Sequence, residues 1–70
     1  MPDIEAHITG NVWKIEVAVG DTVEDGDTVV ILESMKMEIP VEADSAGTIV
    51  KILVAEGDVV DDGLALMELK

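Results

Sequence analysis

Lys36 is the residue in this sequence best placed to do chemistry. It sits inside Glu33-Ser34-Met35-Lys36-Met37-Glu38, with a methionine on each side. Of the other lysines, Lys14 and Lys51 fall on one another in an internal repeat and Lys70 is the last residue. An ordinary lysine amine is protonated at neutral pH and is a poor nucleophile. Acylating it therefore requires another enzyme to bring an activated acyl group and a base. What this chain can contribute is presentation, an amine on an exposed tip. Met35 and Met37 are flexible, polarizable apolar groups suited to adaptable contacts. The plainer reading makes Lys36 a solubilising lysine and the two methionines fillers of core gaps. The place of the motif, at the join of the repeat, favours the chemical reading.

Other chemistries fail on their own requirements. Asp21-Thr22-Val23-Glu24-Asp25-Gly26 and Asp58-Val59-Val60-Asp61-Asp62-Gly63 faintly resemble calcium loops. Valine at the third position and the lack of a glutamate at the twelfth remove needed ligands, so both read as turns. His7 is the only histidine and there is no cysteine, which leaves no zinc site and no disulfide. No serine–histidine pairing, phosphate-binding glycine loop or partnered acid/base carboxylate is present, and no catalytic residue is expected. Sixteen acidic residues against four lysines give a net charge of −12. Such a surface repels phosphate backbones and anionic lipids and argues against nucleic-acid and membrane partners.

The elements that must position Lys36 come from that repeat. Residues 10–33 align without gaps on 47–70, an offset of 37 that sets Gly10 on Gly47, Gly20 on Gly57 and Gly26 on Gly63. Three glycines recurring at one offset mean the same three bends made twice. Within each copy the hydrophobic period is two, the mark of a half-buried strand. Trp13, Ile15, Val17 and Val19 alternate with Lys14, Glu16 and Ala18, which places Trp13 in the core. Val29-Val30-Ile31-Leu32 is a continuous run that reads as a strand buried on both faces. Strands are predicted near 3–8, 12–18, 28–33, 38–43, 48–54 and 65–69, with stubs at 22–23 and 59–60. The predicted fold class is all-β: a flattened eight-stranded β-barrel or sandwich with quasi-two-fold symmetry, one domain over residues 1–70. Residues 34–46 join the halves, with a tight turn centred on Met35-Lys36. Such turns favour Asn-Gly or Asp-Gly because they need positive φ, so strain is expected here.

Together these features resemble the biotinyl/lipoyl attachment domain family. The run around Lys36 matches its [Ala/Ser]-Met-Lys-Met attachment motif. The flanks match as well: Gly10-x-Val12, Gly20-Asp21-x-Val23-x-x-Gly26-Asp27-x-Val29, Ala46-Gly47-x-Ile49 and Glu56-Gly57-Asp58-x-Val60-x-x-Gly63. The resemblance covers residues 8–69. It implies covalent biotin on Lys36, with Met35 and Met37 read by the ligase or cofactor and Glu33, Ser34 and Glu38 as motif flanks. It implies three partners: a biotin protein ligase acting through biotinyl-adenylate, a biotin carboxylase and a carboxyltransferase. The chain itself would be a non-catalytic shuttle, a monomer in isolation. About ten single bonds of ~1.5 Å give such an arm a reach on the order of 10–14 Å.

Departures from the family shape the expectation. The chain begins at Met1 without a Pro/Ala-rich linker, which implies a separate subunit or a piece cut from a longer protein. His7-Ile8-Thr9-Gly10 replaces the common Pro-x-x-Gly, and there is no protruding thumb. The lipoyl branch modifies a lysine at the same tip but usually within Asp-Lys-Ala; methionines on both sides favour biotin, with lipoate as the alternative cofactor. An unmodified barrel-sandwich module is the structural alternative. Met1 to Ala6 shows no signal-peptide pattern and no apolar run approaches ~20 residues, so a cytoplasmic location is expected.

Overall fold

The computed structural model describes residues 3–70; Met1 and Pro2, where the predicted domain and the leader-free start begin, lie outside the described residues. Eight strands follow in order: β1 (Asp3–Glu5), β2 (Gly10–Ile15), β3 (Thr22–Val23), β4 (Thr28–Ser34), β5 (Met37–Glu42), β6 (Gly47–Ile52), β7 (Val59–Val60) and β8 (Ala65–Leu69). They form two four-stranded sheets, β1-β8-β6-β3 and β5-β4-β2-β7, with every pairing antiparallel. This is the predicted eight-stranded flattened sandwich. Its extents are 31 × 19 × 18 Å.

The chain crosses between the sheets so that each borrows from both halves. In the second sheet, β4 and β2 come from the first copy of the repeat, while β5 and β7 come from the second. The first sheet reverses this, with β8 and β6 flanked by β1 and β3. Neither half closes a core alone. The shared core comprises Ile4, Ala6, Val12, Val23, Val29, Val30, Leu32, Val41, Ala43, Ile49, Val60, Leu66, Met67 and Leu69, all apolar. The contributions come from both sheets, and among the described residues no polar or charged side chain is buried.

The backbone hydrogen bonds extend the repeat beyond its sequence-visible limits. Ala6 N–H donates to the Leu64 carbonyl and Ala43 N–H to that of Asp27, each at 2.8–2.9 Å. Gly26 donates to Ala43 and Gly63 to Ala6; Gly20 donates to Ile49 and Gly57 to Val12, each at 2.8 Å. Ile4 and Val41 occupy equivalent register positions, against Met67 and Val30 respectively. Asp3 and Pro40 pair likewise with Glu68 and Ile31, so the two-fold relates residues 3–33 to 40–70 and leaves 34–39 unmatched. Asp21 and Asp58 close the same turn twice, their Oδ2 atoms accepting from Ala18 N–H and Ala55 N–H at 2.9 Å. That turn ends the strand expected over 12–18 early, at Ile15.

Two expectations are corrected, both by β-bulges. Trp13 is not a core residue; it is 41% exposed. The register between β2 and β4 passes from Val12↔Leu32 to Lys14↔Ile31, so Trp13 is the extra residue of a bulge. A bulge resets the alternation: Val12 points inward before it and Ile15 after it. Val50 is skipped in the same way between Ile49↔Leu69 and Lys51↔Glu68. The run Val29 to Leu32 is likewise not buried on two faces. Val29 is bulged between Thr28↔Glu42 and Val30↔Val41, so Val29 and Val30 both reach the core while Ile31 turns outward and is half-buried. Leu66, its two-fold mate, is bulged opposite β1.

Candidate functional site

β4 and β5 form the hairpin at the centre of the unmatched segment. The ladder runs Leu32↔Ile39, Glu33↔Glu38 and Ser34↔Met37, leaving Met35 and Lys36 as a two-residue turn. Both have positive φ, 52° at Met35 and 64° at Lys36, and they are the only non-glycine residues among those described to do so. Positive φ at both central positions is the condition for the hairpin turn whose twist suits the flanking strands. The four other tight bends with positive φ use glycines 20, 26, 57 and 63. At the tip the same demand is met by residues with a Cβ, at about 1–2 kcal/mol each.

The side chains at this tip face solvent. Met35 is 91% exposed, Met37 is 60% exposed and Lys36 is exposed. The reading of the two methionines as core fillers therefore fails; that work is done by Met67, which is fully buried. Glu33 and Glu38 stand directly opposite one another just below the turn and are exposed, and Ser34 is half-buried at its base. The structure thus brings Glu33, Ser34, Met35, Lys36, Met37 and Glu38 together on one hairpin end.

The base of the hairpin is held by a residue that the sequence reading did not connect with it. A Cβ on Gly10 would lie 2.7 Å from the Glu33 carbonyl oxygen and 3.4 Å from Ser34 Cβ. Only glycine lets β2 run this close beneath the turn. Gly47 does the same against the Lys70 carbonyl oxygen, at 2.8 Å. The signal in the sequence was the pairing of Gly10 with Gly47, which open β2 and β6.

An open groove of about 300 Å³, lined by His7, Asp25, Pro40, Glu42, Ala43 and Asp44, lies towards the end of β5 away from the tip. Among the described residues no cluster of three or more potential ligands could hold a metal ion. The tip leaves the Lys36 side chain exposed to solvent.

A family model described as "Biotin-requiring enzyme" matches residues 1–69. The chain belongs to this biotin/lipoyl family. A biotin/lipoyl attachment protein of Bacillus subtilis is 53% identical over 38 residues, 54% of this chain and 52% of that protein. The biotinylated protein TB7.3 of Mycobacterium tuberculosis is 54% identical over 39 residues, 56% of this chain and 55% of that one. The aligned stretch thus spans about half the length of these curated relatives. Among solved structures, the Kluyveromyces lactis urea carboxylase superposes with a TM-score of 0.92 and 40% identity, covering 99% of this chain and 6% of that enzyme. A single-chain, multi-domain long-chain acyl-CoA carboxylase gives a TM-score of 0.88 at 32% identity, covering 94% of this chain and 7% of that one. Folds of this family therefore occur as small parts of much larger carboxylases.

Proposed function

We propose that this chain is a biotin carrier in which Lys36 bears the cofactor in amide linkage. The observation that carries the reading is the turn itself. Two residues with side chains take a left-handed backbone at the one place the two-fold repeat does not require, and they expose an amine between two exposed methionines. Strain retained at a single tip is a reason to look there for function. Membership of the family and the names of the relatives support biotin as the group.

The chain's part is positional. Lys36 Nζ, once deprotonated by a base on a biotin protein ligase, would attack the carboxyl carbon of biotinyl-adenylate, forming the amide as the carbonyl–phosphate bond breaks and AMP leaves. Met35 and Met37 offer apolar grips on either side, and Glu33, Ser34 and Glu38 fix the strand ends that aim the turn. Biotin held on Lys36 would supply a group able to carry a carboxyl between a biotin carboxylase and a carboxyltransferase, with the lysine side chain as its tether. Keeping it on a carrier replaces a free encounter by an effective concentration of roughly millimolar order. We expect the carrier to work in the cytoplasm as a monomer outside its enzyme complex, with no catalytic residue of its own.

A second reading follows from the Bacillus subtilis relative, whose name includes lipoyl attachment as well as biotin. Streptavidin and anti-lipoate blots of protein from the native host separate the two. Streptavidin reactivity lost in Lys36→Arg supports the biotin reading, and lipoate alone at Lys36 overturns it.

A further inference from the structure

The two-fold repeat makes each sheet a reference for the other. Their inner faces are both apolar, as the shared core requires. Their outer faces differ. On the sheet that carries the hairpin, the outward positions include four apolar residues, Pro40 on β5, Ile31 on β4, Trp13 in the β2 bulge and Val59 on β7, beside Glu33, Glu38, Glu42, Asn11 and Lys14. Subtracting or adding the offset of 37 gives the mates of those four on the other sheet: Asp3, Glu68, Val50 and Thr22. Three of these backbone positions thus tolerate a charge or a threonine, so the fold does not call for apolar residues at Pro40, Ile31 or Val59; at the bulge the mate is the smaller Val50.

Three of the four are neighbours in the sheet. Pro40 pairs with Ile31, and Ile31 pairs across to Lys14, next to Trp13. Lys14 Nζ lies 5.2 Å from the centroid of the Trp13 ring, so its stem lies along the patch. Val59 occupies the adjoining edge strand opposite Asn11 and is 72% exposed, while Trp13 is 41% exposed. The other exposed large apolar residues apart from the tip methionines, Val19, Leu53 and Leu64, stand in connections outside the strands. Glu33 and Glu38 border the patch on the turn side and Glu16 on the opposite side, all exposed.

We propose that this face docks the enzyme that acylates Lys36, through a protein surface with an apolar centre and a Lys/Arg rim. The acidic border and the net charge of −12 supply the complementarity, and the same charge opposes a second copy of this chain as the occupant. A partner seated here covers the flank of the hairpin and meets Lys36 at its end. The proposal rests on the reading of Lys36 as an acylated lysine.

The test grafts the mate residues onto this face. The full chain carrying Trp13→Val, Ile31→Glu and Pro40→Asp is compared with the unaltered chain as substrate for a purified biotin protein ligase with biotin and ATP. A KM for the carrier raised about tenfold or more, with kcat within about twofold, is the expected result. The KM of the unaltered chain is also expected to rise with salt. Circular dichroism and thermal unfolding check that the graft folds; if it does not, Trp13→Val and Pro40→Asp singly carry the same expectation of a raised KM with kcat retained. Unchanged KM in folded variants overturns the docking face while leaving the carrier reading intact. Failure of the unaltered chain to be modified at all overturns both.

Discussion

Met35 and Lys36 show what one turn demands of two side chains. A left-handed conformation costs a residue with a Cβ about 1–2 kcal/mol, and asparagine and glycine meet it at lower cost. Replacing the pair by Met35→Asn with Lys36→Gly is therefore expected to stabilise the protein. For a domain of this size a gain of about 1 kcal/mol raises the thermal midpoint by roughly 4–8 °C, which calorimetry measures directly; an unchanged or lower midpoint would show that the turn is not strained. The same double variant is expected to lose all modification. Lys36→Arg keeps the charge and the turn, so it should lose modification with the thermal midpoint unmoved. The tight turn at this point was legible in the sequence, because the strands on either side end symmetrically around it. The outward setting of both methionines was not, since a methionine serves equally as core filler or as an exposed contact, and only burial tells the two apart.

Strand positions were legible because the hydrophobic period and the turn glycines agree in both copies. Periodicity reads straight through a bulge, however, and this is why Trp13 was placed in the core. One unpaired residue shifts the phase, and the matching bulge at Val29 turns what looked like a two-sided strand into a one-sided one. The pairing of Glu5 with Glu42 and of Ala6 with Ala43 shows that the repeat reaches further back than its glycines mark; short elements dominated by small or charged residues carry little signal on their own. At this scale the glycine beneath the hairpin makes a sharp prediction. Gly10→Ala and Gly47→Ala both place a Cβ against a carbonyl oxygen, at 2.7 and 2.8 Å, and each is expected to cost about 1–3 kcal/mol in urea unfolding. Only Gly10→Ala displaces the base of the hairpin, so it alone is expected to slow acylation of Lys36. Equal acylation rates in the two variants would detach the hairpin base from the function assigned to its tip.

The whole molecule is two copies of one motif interleaved through a common core, with a hairpin tip placed between them. Because each sheet takes strands from both copies, cutting the chain between Met35 and Lys36 is expected to leave two fragments that are unfolded alone and regain β-sheet circular dichroism when mixed. A fragment that folds by itself would contradict the shared core. Total stability of a chain this short is a few kcal/mol to about 10 kcal/mol, and Leu32 and Leu69 are fully buried at two-fold-related positions of that core. Truncation of either to alanine should remove about 2–5 kcal/mol, enough to bring the protein close to its unfolding midpoint. The symmetry also isolates what is special. Lys14 and Lys51 are mates and Lys70 is the mate of Glu33, whereas Lys36 lies in the unmatched segment. The most direct test is intact and peptide-level mass spectrometry of the protein purified from its native host, beside the Lys36→Arg variant. The account predicts one biotinyl group, on Lys36 and on no other lysine, absent from the variant. A chain carrying no acyl group while its host's other biotin proteins are modified, or one modified at Lys14, Lys51 or Lys70, would contradict it.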